Sequence, residues 1–311
     1  MAHITFIHGI ANKPASDVLL RLWRQALARD EGLDLGAEGV TSSMVYWADV
    51  MYEEPKPEMA EHESNDSVIE RKDDDVDMSW QDGLSGDAKD WSAGLEAKLG
   101  FDKEPPEGDE DFAPPVSEFE SVEFERIPLP WWLKRRLMKV LLRDVHHYLF
   151  NTEHSPRDGV TYRVQDEIRR RFLDAVEEGA TREGPHIVVS HSMGTVIAYD
   201  CLKRAPACPR VDGLVTIGSP LGLDEIQDKL RPEWSRDDGF PTKVRSDWTN
   251  VYDRLDPVAG SDPKIANDYQ KNDQTCVEDI NEQNWGTWRH NISNYLSGEL
   301  LRSALVRQLG F

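Results

Sequence analysis

The stretch that most limits what this chain can become is His186–Arg204, HIVVSHSMGTVIAYDCLKR. His186-Ile187-Val188-Val189 is a short, mainly apolar run, the pattern of a strand covered on both faces. Thr195–Arg204 reads as a helix. Between them stands Ser190-His191-Ser192-Met193-Gly194, so a strand must become a helix within five residues. Such a turn is sharp and lifts its central residue, Ser192, out of the sheet at the carboxyl edge. A bulky neighbour would clash across the turn; Gly194 supplies one small residue, and Ser190 stands where glycine is usual. The helix that begins there aims free N–H groups and the positive end of its dipole at any anion forming beside Ser192. A serine so presented is a candidate nucleophile. An ordinary strand–helix turn is the plainer alternative, and the context argues against it.

The same alternation runs through most of the chain. His3–Ile7 reads as a buried strand ending at His8-Gly9, Ser16–Arg29 as a helix with Ser16 at its N-cap, and Thr41–Asp49 as a second strand. Pro130–Phe150 and Val160–Val176 have amphipathic helical spacing. Strands follow at Val211–Ile217, Trp248–Tyr252 and Thr275–Ile280, and His290–Val306 closes the pattern with helix. Strands separated by helices of this length call for a mostly parallel sheet with helices on both faces, an α/β fold. A chain of 311 residues, 39% of them hydrophobic, is large enough to bury such a core.

Charge sets one region apart. The whole chain carries a formal net charge of −22, and residues 53–126 hold about 25 acidic and 7 basic side chains. We read 1–52 and 131–311 as the core and 53–130 as an acidic, partly structured insertion, with short helices near 79–99 anchored by Trp80, Leu84, Trp91, Leu95 and Phe101. Asp73, Asp75 and Asp77 begin like a calcium loop, but Met78 and Leu84 occupy the glycine and glutamate positions, so a solvated acidic face is the better reading. The acidity argues against a nucleic-acid partner, and no apolar run is long enough to cross a bilayer. The opening MAHITFIHGI has no secretory-signal pattern. Three cysteines, Cys201, Cys208 and Cys276, fit a reducing compartment, so a cytoplasmic location is expected. No glycine-rich phosphate loop or metal-ligand spacing is present; neither cofactor nor metal is expected.

VVSHSMGTVIAYDCL resembles the nucleophile region of the α/β-hydrolases, in particular serine esterases and lipases. FIHGI is similar to their oxyanion-hole strand, TIGSPLGL to the strand after the nucleophile helix, NVYDRLDPVA to the acid strand, and WRHNISNYL to the histidine turn. The likeness spans most of the chain outside 53–130. It implies the chain order serine, acid, histidine. Ser192 is then the nucleophile, and His290, the only histidine C-terminal to it, is the base. Asp256, followed by Pro257-Val258, is preferred as the acid over Asp253. One oxyanion donor is expected at the Met193 N–H. The resemblance puts the other at the Ile10 N–H, with Gly9 next. His8 either orients that turn or simply ends a strand, and His191 packs at the elbow in preference to moving protons. His8, Gly9, His191 and Leu221 are candidates for the pocket lining.

Two neighbouring segments carry open alternatives. The helix 131–150 is either a cap over an acyl pocket or a core helix whose basic face meets the acidic insertion; charge complementarity favours the second. Residues 219–247, with Trp234 and Phe240, are expected to build a pocket wall, and Trp47 belongs either to that pocket or to the core. The expected activity is hydrolysis of a carboxylic ester, of a small molecule or a lipid, through an acyl-enzyme. A thioesterase, amidase or transacylase could use the same triad. A non-catalytic scaffold binding a protein partner through its acidic insertion is the alternative from a different class.

Overall fold

The structure, a computed structural model, describes residues 1–57, 76–98, 131–259, 262–285 and 289–311. Asp73, Asp75, Phe101 and most of the acidic insertion lie outside those residues. Six strands form one sheet: β1 (His3–Ile7), β2 (Thr41–Val45), β5 (His186–His191), β6 (Val211–Ile217), β7 (Val244–Tyr252) and β8 (Val277–Asn281). Their order is β2-β1-β5-β6-β7-β8, and every pairing is parallel. This is the α/β architecture that the alternation of elements predicts.

Strand periodicity divides the core between the two faces. On one side Ile4, Phe6, Ile187, Val189, Val215 and Val251 pack against α1 (Ser16–Ala28), α8 (Ile292–Ser297) and α9 (Glu299–Leu309). On the other, Ile7, Val188, Leu214 and Trp248 meet α3 (Gly86–Lys98), α4 (Trp131–Leu149), α5 (Val164–Ala180) and α6 (Met193–Arg204). The short helices α2 (Ala48–Met51) and α7 (Asp224–Lys229) complete the described set. Among the described residues no helix is long and apolar enough to cross a membrane.

Several boundaries differ from the sequence reading. The segment expected to be helical from Val160 instead begins with a hairpin, β3 (Glu153–Arg157) with β4 (Val160–Arg163), and the helix starts only at Val164. Gly159, at φ +74°, closes that hairpin, and Tyr162 pairs with His154 across it. The second strand stops at Val45 and a helical turn takes Ala48–Met51. Ser16 lies inside the first turn of α1, preceded by Ala15 without a side-chain cap. The C-terminal helix is broken at Gly298, where a Cβ would stand 2.5 Å from the Glu282 carboxyl carbon.

The helix at 131–149 is integrated into the core over its C-terminal half: Met138, Leu141, Leu142, Val145 and Tyr148 are buried. The described part of the insertion packs on it. Trp91 and Leu95 of α3 are buried, and Trp80 stacks on His146 at 4.5 Å. Asp77, the last acid of the calcium-like run, accepts the Ser79 N–H at 2.8 Å.

Fully buried Asp200 links three helices. Its carboxylate takes Arg169 Nε and Nη2 at 2.6 and 2.8 Å, Arg204 Nη1 at 3.0 Å and the Tyr148 hydroxyl at 2.7 Å. Removing one partner of a buried ion pair strands the others. Asp200→Ala is therefore expected to cost about 3 kcal/mol of stability, read as a lower urea midpoint with an unchanged denaturant slope.

Candidate active site

The site is built where β1, β5, β6 and β7 end. After His191 the chain turns sharply at Ser192, whose φ of 55° and ψ of −132° are rare for a residue with a Cβ. Conformations of this kind cost about 1–3 kcal/mol and persist only where neighbours dictate them. The neighbours are close. The Ser192 N–H donates to Ile217 O at 2.9 Å, and Thr195 returns both its N–H and its hydroxyl to Ser192 O. A Cβ on Gly194 would lie 2.6 Å from His8 O, and one on Gly9 would lie 2.4 Å from Ser192 Cβ. Glycine is therefore required on both sides of the contact. At the first flanking position Ser190 is accommodated because its hydroxyl donates to Val215 O at 3.0 Å. Ser192 itself is buried, and its Oγ has no hydrogen-bond partner among the described residues.

His290 and Asp256 meet across the ends of β6 and β7. The imidazole Nδ1–H donates to both carboxylate oxygens at 2.8 Å, so Nδ1 carries the proton and Nε2 presents its lone pair. Asp256 Oδ1 also accepts the Val258 N–H at 2.8 Å, and Oδ2 accepts the Tyr295 hydroxyl at 2.8 Å. Tyr295 in turn accepts the Asp253 N–H at 2.8 Å. Burial, and then the charges of Asp256 and Asp253, hold the Tyr295 phenol well above its usual range, which keeps it a donor. Between the dyad and the serine turn lies Gly218, at φ +54°, where a Cβ would stand 2.7 Å from Asp256 Oδ2 and 3.1 Å from the His290 ring. The Ser192 N–H binds Ile217 O and the His290 ring abuts Gly218, so both residues neighbour the end of β6.

The second aspartate has different work. Asp253 Oδ1 accepts the Leu255 N–H at 2.7 Å, and Oδ2 accepts the Asn284 N–H at 2.7 Å, with Arg289 Nη1 at 3.5 Å. Burial raises its carboxyl while those N–H donors oppose the rise. Asp253 thus ties down Asn284 and Arg289, the residue before His290. Asn284 completes the hold by donating its amide to Arg289 O at 2.7 Å.

His191 packs against His290, ring to ring at 4.5 Å, and its Nε2–H donates to His290 O at 3.2 Å. Burial, then the neighbouring His290 and Lys13, hold it well below the usual imidazole range. His8 is fully buried. Its Nε2 accepts the Trp47 N–H at 3.0 Å, so its Nδ1–H donates to Gly9 O at 2.8 Å. The Trp47 indole stacks on it at 4.8 Å and donates to His8 O. Both ring nitrogens are engaged, and His8 orients the turn that follows β1. Trp47 belongs to the same clamp. Because Gly9 O is held by His8, the Ile10 N–H of the same trans peptide points the other way; it makes no hydrogen bond among the described residues, and neither does the Met193 N–H.

The remaining residues expected near the pocket are buried. Leu221 is buried, and its carbonyl accepts the Gln227 amide and the Tyr269 hydroxyl. Trp234 and Phe240 join Trp248 and Tyr269 in the core. A cavity of about 430 Å³ lies at the opposite, amino-terminal edge of the sheet, lined by Arg182, Arg210 and Arg245. Among the described residues no group of histidine, cysteine and carboxylate side chains could hold a metal ion. Tyr295 and Asn284 were not distinguishable in the sequence, since nothing local separates a tyrosine that braces a carboxylate from one that fills a core. Comparison with protein-family models and with curated proteins finds no match to this chain. What stands is an α/β protein with a six-stranded parallel sheet and a buried His290–Asp256 pair at its carboxyl edge.

Two outcomes follow. Gly9→Ala should displace the Ser192 turn and lower the thermal midpoint by several degrees, whereas Gly83→Ala, with nothing within 4 Å of the new methyl, should leave it within about a degree; scanning fluorimetry compares them. Burial and then the Lys13 charge push His8 down to about 3. Its folded value lies below its unfolded one, so its support for the fold is complete above pH ~6.5 and declines as pH falls toward 3. Imidazole NMR should find His8 as the Nδ1–H tautomer, without titration, from about pH 8 to 5.

Proposed function

We propose that this protein is a serine hydrolase of the α/β-hydrolase kind that cleaves carboxylic esters through an acyl-enzyme. The observation that carries the reading is the buried Asp256 carboxylate gripping His290 Nδ1–H at 2.8 Å, at the sheet edge where Ser192 is held in its strained turn. A serine hydroxyl is a weak nucleophile until a base takes its proton. His290 Nε2 accepts the Ser192 Oγ proton as Oγ bonds to the acyl carbon. The carbonyl electron pair moves onto oxygen, where the Met193 and Ile10 N–H groups receive it. Collapse of that anion expels the alcohol oxygen, which takes the proton from His290. Water then repeats the sequence on the acyl-enzyme, releasing the acid and restoring Ser192. Asp256 keeps the imidazole in the Nδ1–H form and stabilises its transient charge.

Three substitutions test it. Ser192→Ala should abolish p-nitrophenyl ester turnover and fluorophosphonate labelling with an unchanged circular-dichroism spectrum. Asp256→Asn should lower kcat by about 10⁴-fold, as expected when the tautomer is no longer fixed, and His290→Gln should lower it at least as far. Turnover retained by Ser192→Ala, or a wild-type protein that neither labels nor turns over, would overturn the reading. The same assay run with short-chain and long-chain esters, a thioester and an amide identifies the acyl class.

A further inference from the structure

The turn after β1 contains a second strained residue. Ala11 has φ +69°, a left-handed conformation that an alanine does not adopt without cause. Its N–H donates to Asp144 Oδ2 at 3.1 Å, across 133 residues of sequence. Asp144 belongs to α4 and is fully buried. Its Oδ1 accepts Arg143 Nε and Nη2 at 3.0 and 2.8 Å, and its Oδ2 also accepts the Tyr52 hydroxyl at 3.3 Å. Arg143 closes the arrangement, lying 5.0 Å over the Tyr52 ring and donating to its hydroxyl.

A buried carboxylate is a poor means of fixing a helix that Met138, Leu141, Leu142, Val145 and Tyr148 already anchor. What Asp144 adds is a hold on the Ala11 N–H of the turn. His8 holds the peptide plane before Ile10 through Gly9 O, and Asp144 holds the plane after it through the Ala11 N–H. Ile10 is therefore clamped from both sides. Without the second clamp Ala11 would relax toward negative φ and carry the Ile10 peptide with it.

We propose that Asp144 is a positioning residue of the reaction, holding the Ile10 N–H in line with the anion that forms on the acyl oxygen. This rests on the hydrolase reading above, and extends it to a residue of α4 that touches neither substrate nor the reacting atoms. Preorganised donors act through the transition state more than through substrate binding. Asp144→Ala should therefore lower kcat by about 10²-fold, the effect of losing one oxyanion donor, with KM changed less than about threefold. Affinity for a trifluoromethyl ketone, which forms the tetrahedral adduct, should fall in parallel with kcat/KM, and the pH profile should keep its shape because His290 and Asp256 are untouched. Asp144→Asn, which keeps an oxygen acceptor, should recover part of the rate. Ala11→Gly removes the left-handed penalty, so added to Asp144→Ala it should recover part of the lost kcat; Asp144→Asn serves where Asp144→Ala does not accumulate. Wild-type rates in folded Asp144→Ala, no recovery when Ala11→Gly is added to it, or losses shared equally between ester turnover and ground-state binding, would overturn the positioning role. Failure of wild-type protein to label at Ser192 would instead overturn the hydrolase reading itself.

Discussion

Two backbones approach at the carboxyl edge of the sheet more closely than side chains permit, and the site depends on that contact. Gly194 sits under the carbonyls of Ile7 and His8, and Gly9 sits against Ser192. The contact holds Ser192 in a conformation it would not choose. It also fixes where the first turn of α6 begins, and hence where the Met193 N–H points. The parallel pairing of β1 with β5, from His3 opposite His186 to Ile7 opposite Ser190, delivers the two turns to the same height. A shift of register by one residue would invert every inward side chain and separate the turns.

Around that contact, polar groups are spent on orientation. His8 and Asp144 hold the turn after β1, Tyr295 braces Asp256, and Asp253 with Asn284 holds Arg289, next to His290. Each is buried, and each satisfies a backbone N–H or a carboxylate that burial would otherwise penalise. In the proposed reaction these residues would keep donors and acceptors in place before charge develops, so that little reorganisation is needed when it does.

The sequence showed the centre of the sheet because β1, β5 and β6 are buried on both faces and their punctuation is local. Val211–Ile217 is recovered without change, and β5 is extended only by the turn residues Ser190 and His191. Where an element is half exposed the pattern misled. β4 alternates Val160, Thr161, Tyr162, Arg163 and runs straight into a helix, so its two apolar residues also satisfied a helical spacing. The exposed polar run Arg245–Asp247 hid the first four residues of β7, Val244–Asp247. At the site, Ser192, His290 and Asp256 stood out by motif and order, and the structure brings His290 and Asp256 into direct contact. Asp144 and Tyr295 could not be found that way. Each acts over more than thirty residues of sequence, on a partner that only the folded chain supplies.

The strand order has a cost during synthesis. Thr5 of β1 is bonded to His186 of β5, 181 residues later. At roughly 5–20 residues per second, a nascent chain waits on the order of ten seconds or more before β1 can acquire that neighbour. In the interval, pairing with β2 leaves the other apolar margin of β1 open, in a segment rich in isoleucine and phenylalanine. Such a margin is a template for unwanted strand addition. The margin of His3–Ile7 that faces β5 thus stays unpaired until the chain has grown past His186–Ser190.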